Sequence, residues 1–151
     1  MTTTHTTSQG DVVDNAPTDL YVDGAWRPAS DGTRFDVHDP ATAETIASVA
    51  AATVEDGLAA VDAAHRALPS WAATAPRQRA EILRRAFEMM TERSEEIAEL
   101  IVRENGKSFA DAAGETAYAA EFFRWFAEEA VRSLGSVSTA PGGDKKILVL
   151  H

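Results

Sequence analysis

Gly106-Lys107-Ser108 carries the closing residues of a phosphate-cradling loop, in which backbone N–H groups and a lysine hold phosphate oxygens. The full pattern needs a glycine five residues before the second one, and Ile101 stands there. It also needs a preceding strand, whereas the preceding residues have helical spacing. A helix stop followed by a helix start is the better reading. Pro141-Gly142-Gly143-Asp144 is glycine-rich, but no strand precedes it and no helix follows, so it reads as a turn between extended segments. The histidines, His5, His38, His65 and His151, form no metal-ligand pair at helical spacing. His65 lies on an apolar helical stripe and reads as a core or partly exposed residue. Glu115 and Glu121 sit in an aromatic segment, where burial would raise a carboxyl pKa, although exposure is the commoner fate. Trp26, Trp71 and Trp125 read as packing residues. With no cysteine, the chain holds no disulfide, no thiolate metal site and no thiol nucleophile. The residues alone assemble no catalytic constellation.

Composition bounds the partners. The 151 residues suit one ordinary domain. A chain of that size buries about 70% of its unfolded surface, enough for a core. Apolar content of 44% and charged content of 25% fit a globular protein. The net charge of −10 argues against nucleic acid, which needs a basic face. The polar start, MTTTHTTSQGDVVDNAP, has neither the basic nor the apolar part of a signal peptide. No apolar run approaches the ~20 residues of a membrane span. A cytoplasmic protein with no membrane partner is the expectation.

The elements that would position any site follow from local patterns. Residues 1–17 read as a disordered tail. LYV, Asp23-Gly24 and AWR make a hairpin, because a type I′ turn needs positive φ twice. Arg34 to His38 alternates as a strand, Asp39-Pro40 breaks it, and Thr45 to Val49 is a further strand. Thr53 and Asp56 form a capping box before a helix whose stripe is Val54, Leu58, Val61 and Leu68 and which Pro69 should end. Pro76 opens a second helix with Ile82, Leu83, Ala86, Phe87 and Met90 inward. Ser94 should cap a third, facing Ile97, Leu100 and Ile101 inward, with Gly106 its left-handed stop. Ser108 and Asp111 cap a long helix running to about Leu134. Its apolar residues cover most of its circumference, as in a helix inside a larger body. DKKILVLH closes the chain as an apolar strand, Ile147 to Leu150, whose partner the local pattern does not name.

The segments LYVDGAWRPASDGTRFDVHDPATAETIASVAAAT, AVDAAHRALPSWAATAPRQRAEILRRAFEMM and RENGKSFADAAGETAYAAEFFRWFAEEAVR, in this order, resemble the opening of the aldehyde dehydrogenase superfamily. The third most closely resembles the succinate-semialdehyde dehydrogenase branch. The resemblance runs from about Leu20 onward. It implies an α+β fragment of an α/β aldehyde dehydrogenase fold: N-terminal hairpin and short strands, four helices, then a C-terminal strand. Residues 18–135 would be the N-terminal part of the cofactor-binding domain, and 136–151 the start of a strand arm used in oligomerisation. It implies a parent enzyme that uses NAD or NADP, acts on an aldehyde and forms a homo-oligomer. In the family, the oxyanion-loop asparagine, the cofactor-binding turn, the general-base glutamate and the cysteine nucleophile match positions beyond His151. The resemblance therefore implies no catalytic or cofactor-binding residue here, and no cofactor for this chain alone. It does place Glu115, Tyr118 and Phe122 on a helix bordering the substrate tunnel. It also places Val37 and Glu104 at a monovalent-cation site of some members. A non-catalytic helical interaction module is the alternative.

Overall fold

The computed structural model describes residues 10–133 and 135–149. His5, Leu134, Leu150 and His151, named above, lie outside them, as does most of the expected tail. The order of elements is α1 (Gly10–Asp14), β1 (Leu20–Val22), β2 (Ala25–Arg27), β3 (Arg34–His38), β4 (Thr45–Ala50), α2 (Val54–Ala73), α3 (Pro76–Glu92), α4 (Ser94–Asn105), α5 (Phe109–Ala130), β5 (Ser136–Thr139) and β6 (Lys146–Val149). This is an α+β arrangement of three separate antiparallel strand pairs and five helices among the described residues.

The chain divides into two compact units, one of Met1–Ala73 with Arg93–Thr116, the other of Thr74–Glu92 with Ala117–His151. In the first, β1 and β2 pair Leu20 with Arg27 and Val22 with Ala25. The turn between them has Asp23 at φ 55° and Gly24 at φ 81°, the two positive values a type I′ turn requires. β3 and β4 pair Phe35 with Val49 and Val37 with Ala47, with an irregularity between Val37 and His38. α2 begins at its reciprocal box: the Asp56 N–H donates to Thr53 Oγ1 at 3.1 Å, and the Thr53 N–H donates to Asp56 Oδ2 at 3.0 Å. Gly106 ends α4 at φ 76°, its N–H donating to the Val102 carbonyl. A Cβ at Gly106 would also stand 3.1 Å from the Pro40 side chain. Glycine is thus required there twice, by conformation and by contact.

Several expectations give way. Gly10–Asp14, placed in the tail, is a helical turn with Val13 buried. Pro69 lies inside α2 and does not end it; the helix runs on to Ala73, with the Ser70 hydroxyl donating to the Ala67 carbonyl at 2.9 Å. Arg93, not Ser94, is the N-cap of α4, and it makes no side-chain cap. α5 stops at Ala130. The closing strand has its partner in the chain: β6 pairs with β5, Ile147 opposite Ser138 and Leu148 opposite Val137. All four residues of each strand are exposed, so the apolar run makes a bare ribbon and not a buried strand.

The core reverses the expected distribution of size. Among the described residues the buried apolar side chains are Val13 and nine alanines. In the first unit these include Ala29, Ala50, Ala63, Ala98 and Ala112; in the second, Ala80, Ala120, Ala127 and Ala140. Alanines at buried helix positions permit close backbone approach with no rotamer to freeze. The larger residues point outward. The stripe of α2, Ile82 of α3 and all three tryptophans are exposed, contrary to their reading as packing residues. Leu83, Ala86, Phe87 and Met90 of α3, and Ile97, Leu100 and Ile101 of α4, are half-buried on the faces expected.

Candidate functional site

The sequence-picked residues fall apart into separate settings. Lys107 and Glu115, both in the first unit, form an ion pair, so Lys107 is engaged by a carboxylate across the helix start. The Ser108 hydroxyl donates to Asp111 Oδ2 at 2.7 Å and accepts from the Asp111 N–H at 3.2 Å. Together with the Gly106 stop, these contacts account for Gly106-Lys107-Ser108 as a junction between helices. Val37 is half-buried on β3, and Glu104 is exposed in the last turn of α4. Their neighbours Asp39 and Arg103 make the firm contact instead: Arg103 Nε donates to Asp39 Oδ2 at 2.9 Å. No group of three or more His, Cys, Asp or Glu among the described residues is placed to hold a metal ion.

In the second unit Tyr118 and Phe122 meet edge to face, ring centroids 4.9 Å apart. With Glu121, Trp125 and Phe126 they line an open groove of about 370 Å³. Tyr118 is 68% exposed and Trp125 59%, so the rings of α5 present a bare apolar face. Glu121 is itself half-buried and accepts two hydrogen bonds from Arg124. Arg124 also lies over the Phe87 ring, 5.6 Å from its centroid. A second groove of about 520 Å³ runs beside it, floored by Ala80, Phe87, Ala127 and Val131 and rimmed by Arg84, Arg124 and Arg132. Each of these rim arginines is already paired with a glutamate three residues before it in sequence. His65 is exposed on α2, and the His38 ring faces the Thr45 hydroxyl at 3.2 Å.

The most constrained ionisable group is one read only as a helix cap. Asp56 is 2% exposed. Its Oδ2 accepts from the N–H groups of Ser30 and Thr53, each at 3.0 Å, and from both their hydroxyls. Its Oδ1 lies 3.2 Å from Arg27 Nη2, an ion contact without hydrogen-bond alignment. The backbone N–H groups of Ser30 and then Thr53 favour the charged form over the opposing effect of burial, and hold the carboxyl pKa down to about 2. Asp56 therefore joins the segment after β2 to the start of α2. The Thr-x-x-Asp spacing signalled the cap; nothing local signalled Arg27 or Ser30.

The aldehyde dehydrogenase family model matches residues 26–151, and the chain belongs to that family. It is similar to the succinate-semialdehyde dehydrogenase of Paenarthrobacter nicotinovorans, 58% identical over 106 residues, covering 70% of this chain and 24% of that one. It is also similar to succinate-semialdehyde dehydrogenase [NADP(+)] GabD of Escherichia coli, 40% identical over 129 residues, covering 85% of this chain and 27% of that one. A crystal structure of an E. coli NADP-dependent enzyme superposes with a TM-score of 0.83 at 39% identity, over 88% of this chain and 28% of the other. The chain thus spans about a quarter of the length of the curated relatives it matches. No helix among the described residues is long and apolar enough to cross a membrane.

Proposed function

We propose that this chain is the N-terminal part of an NAD- or NADP-dependent aldehyde dehydrogenase that oxidises succinate semialdehyde or a closely similar aldehyde to its carboxylic acid. The observation that carries this reading is the 58% identity to a succinate-semialdehyde dehydrogenase. The NADP(+) in the name of the E. coli relative supports the cofactor class. A homo-oligomeric parent in the cytoplasm completes the reading.

The 151-residue chain does not catalyse the reaction alone. A thiolate must attack the aldehyde before hydride can leave the resulting thiohemiacetal, and the chain contains no cysteine. Its role is positional. In the second unit, Tyr118 and Phe122 are proposed as walls of the substrate tunnel, supported by their exposure and shared helix face. Glu115, steadied by Lys107, is proposed as a substrate-tunnel residue on the strength of the family resemblance. Val37 and Glu104 are proposed at a monovalent-cation site, where a carboxylate suits a hard cation.

The test is a transplant. Residues 20–149 of this chain replace the matching segment of the E. coli relative, and NADP(+) reduction with succinate semialdehyde is measured. Retained turnover supports the reading; a folded chimera with no turnover removes it. The isolated chain, assayed in parallel, should show none. The bare rings of α5 favour a second reading, a non-catalytic module that docks a partner through that face. It gains if the folded chimera is inactive while the isolated chain melts cooperatively.

A further inference from the structure

We propose that Asn105-Gly106 is a self-modification site, where the Gly106 nitrogen converts Asn105 to aspartate and isoaspartate at a rate set by opening of the last turn of α4. The chain holds two asparagines, and only this one precedes glycine; Asn15 precedes Ala16. Glycine has no side chain to shield its amide nitrogen or restrict its backbone, so that nitrogen can reach the preceding carboxamide carbon. Deprotonated by hydroxide, it attacks Asn105 Cγ. The Cγ–Nδ2 bond breaks, the nitrogen leaves as ammonia with a proton from water, and a cyclic imide closes. Water then opens the ring. Attack at the side-chain carbonyl carbon leaves aspartate. Attack at the main-chain carbonyl carbon leaves isoaspartate, with the chain rerouted through the side-chain carbons. The Asp-Gly pairs, Asp23-Gly24, Asp31-Gly32 and Asp56-Gly57, have no amide to expel.

The gate lies within the first unit. Asn105 is exposed as the final residue of α4. The Gly106 N–H donates to the Val102 carbonyl at 2.9 Å, and Gly106 closes the left-handed cap at φ 76°. While that bond holds, the proton that must leave is engaged and the peptide is fixed in the cap. Two ties anchor the same turn to the break after β3. Arg103 Nε donates to Asp39 Oδ2 at 2.9 Å, and the Pro40 side chain lies 3.1 Å from where a Cβ on Gly106 would stand. Opening releases these ties with the cap, so the folded chain reacts at the unfolded rate multiplied by the open fraction. Neither product refits the junction. Isoaspartate adds a backbone carbon beside Pro40, where even a Cβ would crowd. Aspartate adds a negative charge next to Glu104, at the helix end whose bare carbonyls disfavour it. Each product raises the open fraction and loosens α4 from the turn after β3.

The proposal does not depend on the enzymatic reading, and it is tested on the 151-residue chain. Folded and guanidinium-denatured samples are held at mildly alkaline pH, and amide-to-acid exchange is located by peptide mass spectrometry. Exchange should appear at Asn105 before Asn15, at least about tenfold slower in the folded chain than in the denatured one. Arg103→Ala should speed the folded reaction at least about threefold and leave the denatured rate unchanged. Arg103→Lys, which keeps a cation for Asp39, should fall between, with helix content by circular dichroism retained in both. Asn105→Gln should remove the acid product. Four results overturn the proposal: no exchange at Asn105 in the folded chain while the denatured chain reacts, exchange at Asn15 first, equal folded and denatured rates, or a folded rate indifferent to Arg103→Ala.

Discussion

The two units place their polar chemistry differently. In the first, carboxylates reach across long stretches of sequence into buried positions: Asp56 to Arg27 and Ser30, and Asp39 to Arg103, 64 residues away. In the second, the ion pairs described are local and on the surface, such as Arg84 with Glu81 along α3 and Arg124 with Glu121 along α5. Exposed pairs of that kind contribute about 0–1 kcal/mol each. Long-range buried ties fix one arrangement of the chain, whereas local pairs support a helix wherever it lies. The first unit is therefore specified from within. The second carries bare rings on α5 and a bare ribbon of β5 and β6.

That contrast can be broken at its strongest point. Asp56→Ala removes the acceptor of four hydrogen bonds and strands Arg27. It should lower the melting temperature on the order of 10 °C and release amide protection at Ser30 and Thr53. Titration gives the same information with a sign. The folded pKa of about 2 lies below the ordinary 3.8, so the contribution is complete above pH 3.8. It is lost as pH falls from there through about 2. The Asp56→Ala chain should lack this limb of its stability curve; an unchanged limb would move the effect to another carboxylate.

Next in size is Arg103→Ala, which leaves Asp39, 7% exposed, without its charged partner. A loss of about 1.5–3 kcal/mol in urea unfolding is expected. In the second unit, changing Trp125 and Phe126 together to glutamine should alter stability by under ~1 kcal/mol. It should sharply reduce fluorescence from an apolar dye; unchanged dye binding would place the sticky surface elsewhere. The smallest effect belongs to Lys107→Ala, expected at about 0–1 kcal/mol because the Glu115 pair is half in water. A larger loss would make that exposed pair as important as the buried ones.

What the sequence revealed was local. Asp23-Gly24, the Thr53–Asp56 and Ser108–Asp111 boxes and the Gly106 stop could be read because each is closed by groups within a few residues. The order of strands and helices followed from the same punctuation. The partners of Asp56 and Asp39 were hidden, since nothing in a capping residue says what else its second oxygen meets. Periodicity found the stripe of α2, but a period identifies a face without saying what covers it. Alanines escaped notice as core because a methyl group weighs little in any apolar count. Pro69 misled because one missing N–H does not end a helix whose later turns still form. For Glu115, Tyr118 and Phe122, and for Val37 and Glu104, the only signal was the family resemblance.

The alanine core has a calorimetric consequence. Heat capacity of unfolding rises with the apolar area newly exposed, at about 0.45 cal/K/mol per Å². A chain whose fully buried apolar side chains are nearly all alanine, with its larger residues half-buried or exposed, has less such area left to expose. Its stability should vary gently with temperature, a broad, shallow dome with a gradual melt. Covering α2 or α5 with any partner would steepen that curve, because the large side chains would then enter the cooperative unit.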